Sequence, residues 1–257
     1  MCLIFIAYQQ HPEWPLIIAS NRDEFFQRAS LPGHFWAPQF NLLGGRDQEQ
    51  GGTWLAVNRN GRFAAVTNFR DPKQGTGTRS RGFLVHDFVA GEQSPADYLQ
   101  GLTGTDYTGF NLLLGSVKEL YYGSNRGRPV EQLSGGIYGL SNHLLDTPWP
   151  KVVNGKLEFT KLVQENTVDI EGLFNLMGDT EEAASGLPET GIGEDQERYL
   201  SSRFIPARRR DEVNGFDGYG TRTTTIVLMN RHGGGHWLER NHNPEAPNRT
   251  ETLAFQW

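Results

Sequence analysis

The chain has 257 residues, of which 37% are hydrophobic and 21% charged, and its formal net charge is −6. This composition is typical of a globular protein with a substantial core, and we interpret residues 1–257 as one domain. The acidic balance argues against a nucleic-acid partner, which would need a clustered positive surface. One basic cluster exists, Arg208 to Arg210, and the acidic residues that follow it favour a solvated turn over a phosphate-binding patch.

The cysteine count and the N-terminus indicate the compartment. The single cysteine, Cys2, excludes an intramolecular disulfide and fits a reducing environment. The apolar run that begins at Cys2 ends after about seven residues, which is too short for a signal peptide or a membrane span. We therefore expect a soluble, cytoplasmic protein that does not insert into membranes. Its expected partner is a small molecule. No pattern in the sequence predicts an oligomeric state.

The first predicted elements are strands. Residues 2–8 and 16–21 form two apolar runs joined by a turn. Residues 54–57 and 63–66 flank an Asn-Gly pair, which is a strong hairpin signal. Helical spacing follows at 83–89, and Ser94 before Pro95 predicts an N-cap and the first turn of another helix. The chain therefore begins with adjacent antiparallel strands.

The second half alternates between the two kinds of element. Strands are predicted at 110–115, 119–123 and 137–140, then helices at 150–163 and 170–177, and an exposed loop at 180–196. The chain returns to strands at 223–229, 236–239 and 252–257. Runs of strands separated by runs of helices predict an α+β fold, in which helices cover antiparallel sheets. The walls of any pocket are expected to come from loops such as 25–45 and 70–81.

Cys2 is the first candidate for chemistry, because it follows the initiator methionine directly. If Met1 is removed, one residue carries both a thiol nucleophile and an α-amine. An α-amine has a pKa near 7.7–8.0, close to the operating pH that suits a general base. The competing interpretation is a buried, inert cysteine in a first strand.

Charged and amide side chains complete the candidate site. Arg22 could favour the thiolate and Asp23 could orient the amine, although adjacent residues of a strand face opposite sides, so both reach Cys2 only if the backbone turns there. A surface ion pair is the alternative. Asn68 and Asn142, each at the end of a predicted strand, could stabilise an oxyanion, or could be ordinary turn formers. Arg222, which enters a late strand, faces either the same pocket or solvent.

Several ordered motifs make the chain resemble a known family. The sequence is similar to the NRDE family, also called the transport and Golgi organisation protein 2 family, and the likeness extends over nearly the whole chain. The motifs are Met1-Cys2, Ser20-Asn21-Arg22-Asp23-Glu24, Gly51-Gly52-Thr53-Trp54, Val66-Thr67-Asn68, Tyr138-Gly139-Leu140-Ser141-Asn142, Thr147-Pro148-Trp149 and Gly220-Thr221-Arg222.

That family is in turn similar to the cysteine N-terminal-nucleophile hydrolases, such as penicillin V acylases and bile salt hydrolases. The resemblance implies a four-layer αββα sandwich of antiparallel sheets. It also implies a site formed, in chain order, by a cysteine, an arginine, an aspartate, two asparagines and a second arginine. The matching residues here are Cys2, Arg22, Asp23, Asn68, Asn142 and Arg222. One departure is spacing, since the hydrolases separate the early arginine from the aspartate.

Two functions are compatible with this resemblance. The first is an N-terminal-nucleophile amidohydrolase that acts on a small acyl amide or acyl compound and needs no cofactor. The second is a non-catalytic carrier or chaperone for haem, an acyl-lipid or acyl-CoA, since the family is associated with haem trafficking and acyl-lipid homeostasis. His143, next to Asn142, is the candidate haem ligand. The seven histidines are scattered, so we expect no metal site.

Overall fold

A computed structural model describes residues 2–38, 41–73, 75, 77–102, 106–165, 167–207, 218–242 and 250–256. Within these ranges the chain forms thirteen strands and five helices. The strands are β1 Cys2–Tyr8, β2 Leu16–Phe25, β3 Ser30–Phe35, β4 Leu42–Asp47, β5 Leu55–Asn58, β6 Phe63–Asn68, β7 Phe110–Gly115, β8 Leu120–Ser124, β9 Arg128–Leu133, β10 Gly136–Leu140, β11 Tyr219–Met229, β12 Gly234–Asn241 and β13 Thr250–Gln256. The helices are α1 Gly82–Ala90, α2 Pro95–Gly101, α3 Pro150–Val163, α4 Ile170–Met177 and α5 Glu194–Tyr199.

The strands form two antiparallel sheets. The first sheet has six strands in the order β10-β1-β2-β11-β12-β13, and the second has seven in the order β3-β4-β5-β6-β7-β8-β9. The second sheet is therefore a meander in which each strand pairs with its neighbour in sequence. The first sheet instead collects strands from both ends of the chain, so that β11 lies beside β2. This arrangement brings the late strand to the N-terminal hairpin.

Strand β1 is buried on both faces, which explains its continuous apolar run. Ile4, Ile6 and their neighbours on the same face pack in the core between the two sheets. Leu3 and Phe5 face the other way, into a core shared with α3 and α4. Helices α1 and α2 contact strands of the second sheet. The layers are therefore helix, sheet, sheet, helix, and the predicted αββα sandwich is confirmed.

The structure corrects three parts of the sequence interpretation. The expected loop at 25–45 contains β3 and β4, and the expected loop at 180–196 overlaps the start of α5. Strand β9 was not predicted. The basic cluster at 208–210 lies outside the described residues. None of the helices that the structure describes is long and apolar enough to cross a membrane.

A close contact between α3 and β1 gives the first testable prediction. A Cβ atom added at Gly155 would lie 2.2 Å from Cζ of Phe5. Because Phe5 is fully buried and stacks on Phe159, the helix would have to move. We expect Gly155→Ala to lower the free energy of unfolding, measured by urea denaturation, by about 1–3 kcal/mol despite the higher helix propensity of alanine.

The matched control is Gly101→Ala in α2, where an added Cβ atom has nothing within 4 Å. This change should leave stability unchanged or slightly raised. Equal effects of the two substitutions would show that α3 does not rest on Phe5 as described.

Candidate functional site

A cavity of about 360 Å³ opens where β1 and β2 meet the second sheet. Its size is within the range usual for small-molecule sites. Charged and polar side chains predominate in its walls, and the segment 77–82 supplies one side. The described residues that line it are Cys2, Arg22, Asp23, Glu24, Arg28, Asp47, Gln50, Thr53, Trp54, Val66, Asn68, Gly77, Thr78, Arg79, Ser80, Arg81, Gly82 and Thr108.

Cys2 lies in this cavity because β1 pairs with β2 in a register that sets it opposite Arg22. The residue is only 9% exposed. Burial raises the pKa of the Cys2 thiol, and the negative charge of Asp23 raises it further, while Arg22 and the backbone N–H of Asp23 act in the opposite direction. This environment therefore favours the protonated thiol over the thiolate.

Arg22 faces the second sheet, on the same side of β2 as the cavity. Its Nη2 atom lies 3.3 Å from Oδ2 of Asp47, and its guanidinium lies 4.3 Å from the centroid of the Trp54 ring. The Nη1 atom is buried and has no hydrogen-bond partner among the described residues. Arg22 is only 5% exposed, so this donor is a buried polar group without a partner in the part of the chain that the structure describes.

Asp23 lies on the opposite face of β2, as side-chain alternation predicts. The backbone does not turn at this point, since β2 continues to Phe25. The Oδ1 atom of Asp23 accepts a hydrogen bond of 2.7 Å from the hydroxyl of Thr221. Burial raises the pKa of the Asp23 carboxyl, although Lys151, Thr221 and Arg22 act to lower it. Asp23 nevertheless lines the cavity together with Cys2 and Arg22.

The two asparagines have different positions. Asn68, at the end of β6, lines the cavity. Asn142 is fully buried behind it, and its Nδ2 atom donates a hydrogen bond of 3.0 Å to the carbonyl oxygen of Asn68. Asn142 therefore holds the backbone of Asn68 in place, while its own amide is not among the groups that line the cavity.

Two sequence candidates lie away from the cavity. The guanidinium of Arg222 donates hydrogen bonds of 2.9 and 2.8 Å to the carbonyl oxygens of Phe25 and Arg28, so it braces the chain after β2. His143 bonds through Nδ1 to the hydroxyl of Thr147, 2.8 Å away, and its ring packs on an aromatic neighbour, Phe69. The structure thus brings Cys2, Arg22, Asp23 and Asn68 together.

The sequence interpretation missed a buried charge cluster behind Asp23. Lys151, in the first turn of α3, donates a hydrogen bond of 2.7 Å from Nζ to the carbonyl oxygen of Leu200. Burial, together with the positive charge of Arg70, lowers its pKa to about 8, against the opposing effects of Asp23, Cys2 and Glu197. The signal that could have revealed Lys151 is its place on the buried stripe of α3, four residues before Gly155.

A buried ion pair connects this cluster to Asn142. The guanidinium of Arg70 contacts the carboxylate of Glu197 in α5. Glu197 also accepts two hydrogen bonds from Thr190, from its backbone N–H at 2.9 Å and from its hydroxyl at 2.5 Å. The backbone N–H of Arg70 donates to the carbonyl oxygen of Asn142 at 2.7 Å. Residues 190–200 are thereby attached to the loop that supports Asn68.

The described residues offer few ligands for a metal or a haem. No group of three or more His, Cys, Asp or Glu side chains among them is arranged to hold a metal ion. No histidine is among the described residues that line the cavity, so His143 does not supply an axial ligand to a haem there. The described walls therefore do not fit a histidine-ligated haem.

The sequence matches the family described as Transport and Golgi organisation 2 over residues 1–244. The Transport and Golgi organization protein 2 homolog of Homo sapiens is 34% identical over 281 residues, an alignment that covers 100% of this chain and 99% of the human protein. The Mus musculus homolog is 32% identical with the same coverage. The Drosophila melanogaster protein is 31% identical and covers 93% of this chain and 91% of its own length.

Solved structures with the same fold come from a bile acid hydrolase. A mutant of the conjugated bile acid hydrolase of Clostridium perfringens has a TM-score of 0.54 and 8% identity, and the match covers 100% of this chain and 97% of the enzyme. A second variant of that enzyme has a TM-score of 0.51 and 7% identity over the same shares of both chains. At these identities the likeness shows the fold, which is that of the N-terminal-nucleophile hydrolases.

Proposed function

Because the chain belongs to the Transport and Golgi organisation 2 family and has an N-terminal-nucleophile hydrolase fold, we propose that it is a cysteine amidohydrolase acting on small acyl amides or related acyl compounds. The observation that carries the proposal is that Cys2, Arg22, Asp23 and Asn68 line one cavity. These are the residue types that a thiol nucleophile needs: a cation, a carboxylate and an oxyanion donor.

The reaction begins with removal of Met1, which frees the α-amine of Cys2. The amine takes the proton of the thiol, and the sulfur attacks the carbonyl carbon of the amide. The carbon–nitrogen bond then breaks, and the amine product leaves with that proton. Water hydrolyses the resulting thioester, which releases the carboxylic acid and restores the thiol.

The surrounding residues have separate parts in this scheme. Asp23 orients the α-amine from the opposite face of β2, and Arg22 supports the thiolate from the cavity side. Asn68 stabilises the oxyanion of the tetrahedral intermediate. Asn142 acts through the backbone of Asn68, so it is a positioning residue.

The experiment uses the purified full chain and p-nitrophenyl hexanoate as an acyl donor. Intact-mass spectrometry should show a protein that begins at Cys2 and gains one hexanoyl group. This adduct should be lost on treatment with hydroxylamine, as a thioester is. Cys2→Ala should abolish the adduct, since the chain has no other cysteine.

Arg231→Gln is the control, because Arg231 bonds to the side chain of Gln9 and is not among the residues that line the cavity. It should acylate like the unmodified protein. A protein that retains Met1, with a thiol that iodoacetamide labels at an ordinary slow rate, would contradict the mechanism.

A further inference from the structure

Four arginines line the described walls of the cavity, and three of them have a carboxylate partner. Arg22 and Arg28 share Asp47, at 3.3 and 2.6 Å, and Arg79 lies 3.1 Å from Asp87. Arg81 differs from the others. Its hydrogen bond is to the carbonyl oxygen of Gly109, 3.1 Å from Nη1, and it forms no ion pair with any residue that the structure describes.

The backbone holds Arg81 in a fixed place at the start of α1. An added Cβ atom at Gly52 would lie 2.6 Å from the backbone of Gly82, so the two glycines permit a contact that no other residue would allow. The backbone N–H of Thr53 donates to the carbonyl oxygen of Gly82 at 3.2 Å. The Gly-Gly-Thr-Trp motif therefore serves to set Arg81 at the cavity wall.

Burial lowers the pKa of Arg81, and the negative charges that oppose this shift are those of Cys2 and Glu24. Arg81 therefore lies within electrostatic reach of the sulfur that would attack a substrate.

The remaining walls fit a polar ligand. Apart from Cys2, the apolar side chains among the described lining residues are those of Trp54 and Val66. A long acyl chain would need more apolar surface than this. A guanidinium binds a carboxylate through two parallel hydrogen bonds, which makes an arginine without an acidic partner a suitable site for a carboxylate.

We propose that Arg81 binds a carboxylate of the substrate beside Cys2, so that the compounds accepted are short acyl amides of anionic amines, such as N-acyl amino acids. This inference rests on the proposed function for the acyl amide. The charge preference itself is a property of the cavity and does not require turnover.

The experiment compares two alkylating reagents of similar size at Cys2, the anionic iodoacetate and the neutral iodoacetamide. In both cases the sulfur displaces iodide, and the product is read by intact mass. The ratio of the two rates, divided by the same ratio for free cysteine, measures the preference of the cavity for an anion. Arg81→Gln should lower this normalised ratio about tenfold, because it removes a charge-assisted hydrogen bond to the carboxylate.

Two further variants show whether charge at this position is responsible. Arg81→Lys keeps the charge and should retain most of the preference. Arg79→Gln is the matched control two residues away, and it should change the ratio less than about twofold, since Asp87 already neutralises Arg79. Each variant is included only if its thermal unfolding midpoint stays close to that of the unmodified protein.

A binding measurement covers the case in which neither reagent labels the thiol. Cys2→Ala protein is titrated with hexanoylglycine and with N-hexanoylethanolamine, and the shift in unfolding temperature is recorded. Hexanoylglycine should stabilise the protein at concentrations where the neutral compound does not, and Arg81→Gln should remove the difference. Absence of any shift, or equal shifts with both compounds, overturns the proposal.

The outcomes separate this proposal from the previous one. Equal slowing of both reagents by Arg81→Gln would make Arg81 a support of the thiolate and would overturn the carboxylate site. An anion preference without an acyl-enzyme would keep the carboxylate site and reject the hydrolase. An acyl-enzyme without an anion preference would keep the hydrolase and reject the carboxylate site.

Discussion

Glu197→Ala should lower the free energy of unfolding by about 3–5 kcal/mol, because it leaves the buried guanidinium of Arg70 without its carboxylate. The same change removes both hydrogen bonds that Thr190 donates to Glu197. Since Arg70 also holds the carbonyl of Asn142, the loss should extend to the loop behind Asn68. Urea denaturation at pH 7 measures the effect.

Glu194→Ala provides the control within the same helix. Glu194 is exposed and pairs with Arg198 one turn away, so its removal should cost at most about 1 kcal/mol. Replacing both partners, as Arg70→Met with Glu197→Met, should cost less than Glu197→Ala alone, because neither member of this pair is then left buried without the other. Similar losses for the two single glutamate variants would contradict the buried pair.

The second large effect concerns Lys151 and pH. Its pKa is about 8 in the folded chain and near the ordinary 10.5 when unfolded. Between these values the unfolded state binds more protons than the folded state, so stability rises with pH. The gain at pH 10 relative to pH 7 should be about 2–3 kcal/mol. Lys151→Met should lack this gain. The free energy of unfolding of the unmodified protein minus that of Lys151→Met should therefore be higher at pH 10 than at pH 7 by the same amount.

Urea denaturation at the two pH values tests this expectation. Lys151→Arg should also lack the gain, because a guanidinium stays protonated at pH 10. Leu157→Ala, an exposed change on the same helix, should differ from the unmodified protein equally at both pH values. A difference for Lys151→Met that is independent of pH would mean that the ammonium remains charged in the folded chain.

The sequence predicts best the elements whose apolar side chains recur with the period of a strand or a helix. The bounds of β1, β7, α3 and α4 agree with the apolar patterns that predict them. Strand β4 was missed because Gly44 and Gly45 look like turn residues. In the fold they permit close contacts instead, since a Cβ atom at Gly45 would lie 2.4 Å from the ring of Trp54. Strand β9 was missed because it contains Pro129, which an edge strand tolerates.

The sequence predicts the part of the candidate site that the hairpin of β1 and β2 brings together. Alternation alone gives the opposite faces of Arg22 and Asp23, and the hairpin gives the pairing of Cys2 with Arg22. The groups behind Asp23 come from distant segments, so no local pattern joins Lys151 to Glu197. Lys151 reaches this cluster because α3 packs on β1 and β10, while Glu197 is held there by its ion pair with Arg70.

The bulge in β11 decides which kind of group meets Asp23. Thr223 pairs with Arg22, but Thr221 pairs with Asp23, so Arg222 is one residue too many for the ladder. In a regular strand Arg222 would lie opposite Asp23 and would supply a second guanidinium. The extra residue substitutes a neutral hydroxyl there and leaves Lys151 to compensate the carboxylate. A count of backbone residues, as much as the choice of side chains, therefore sets the net charge beside the N-terminal strand.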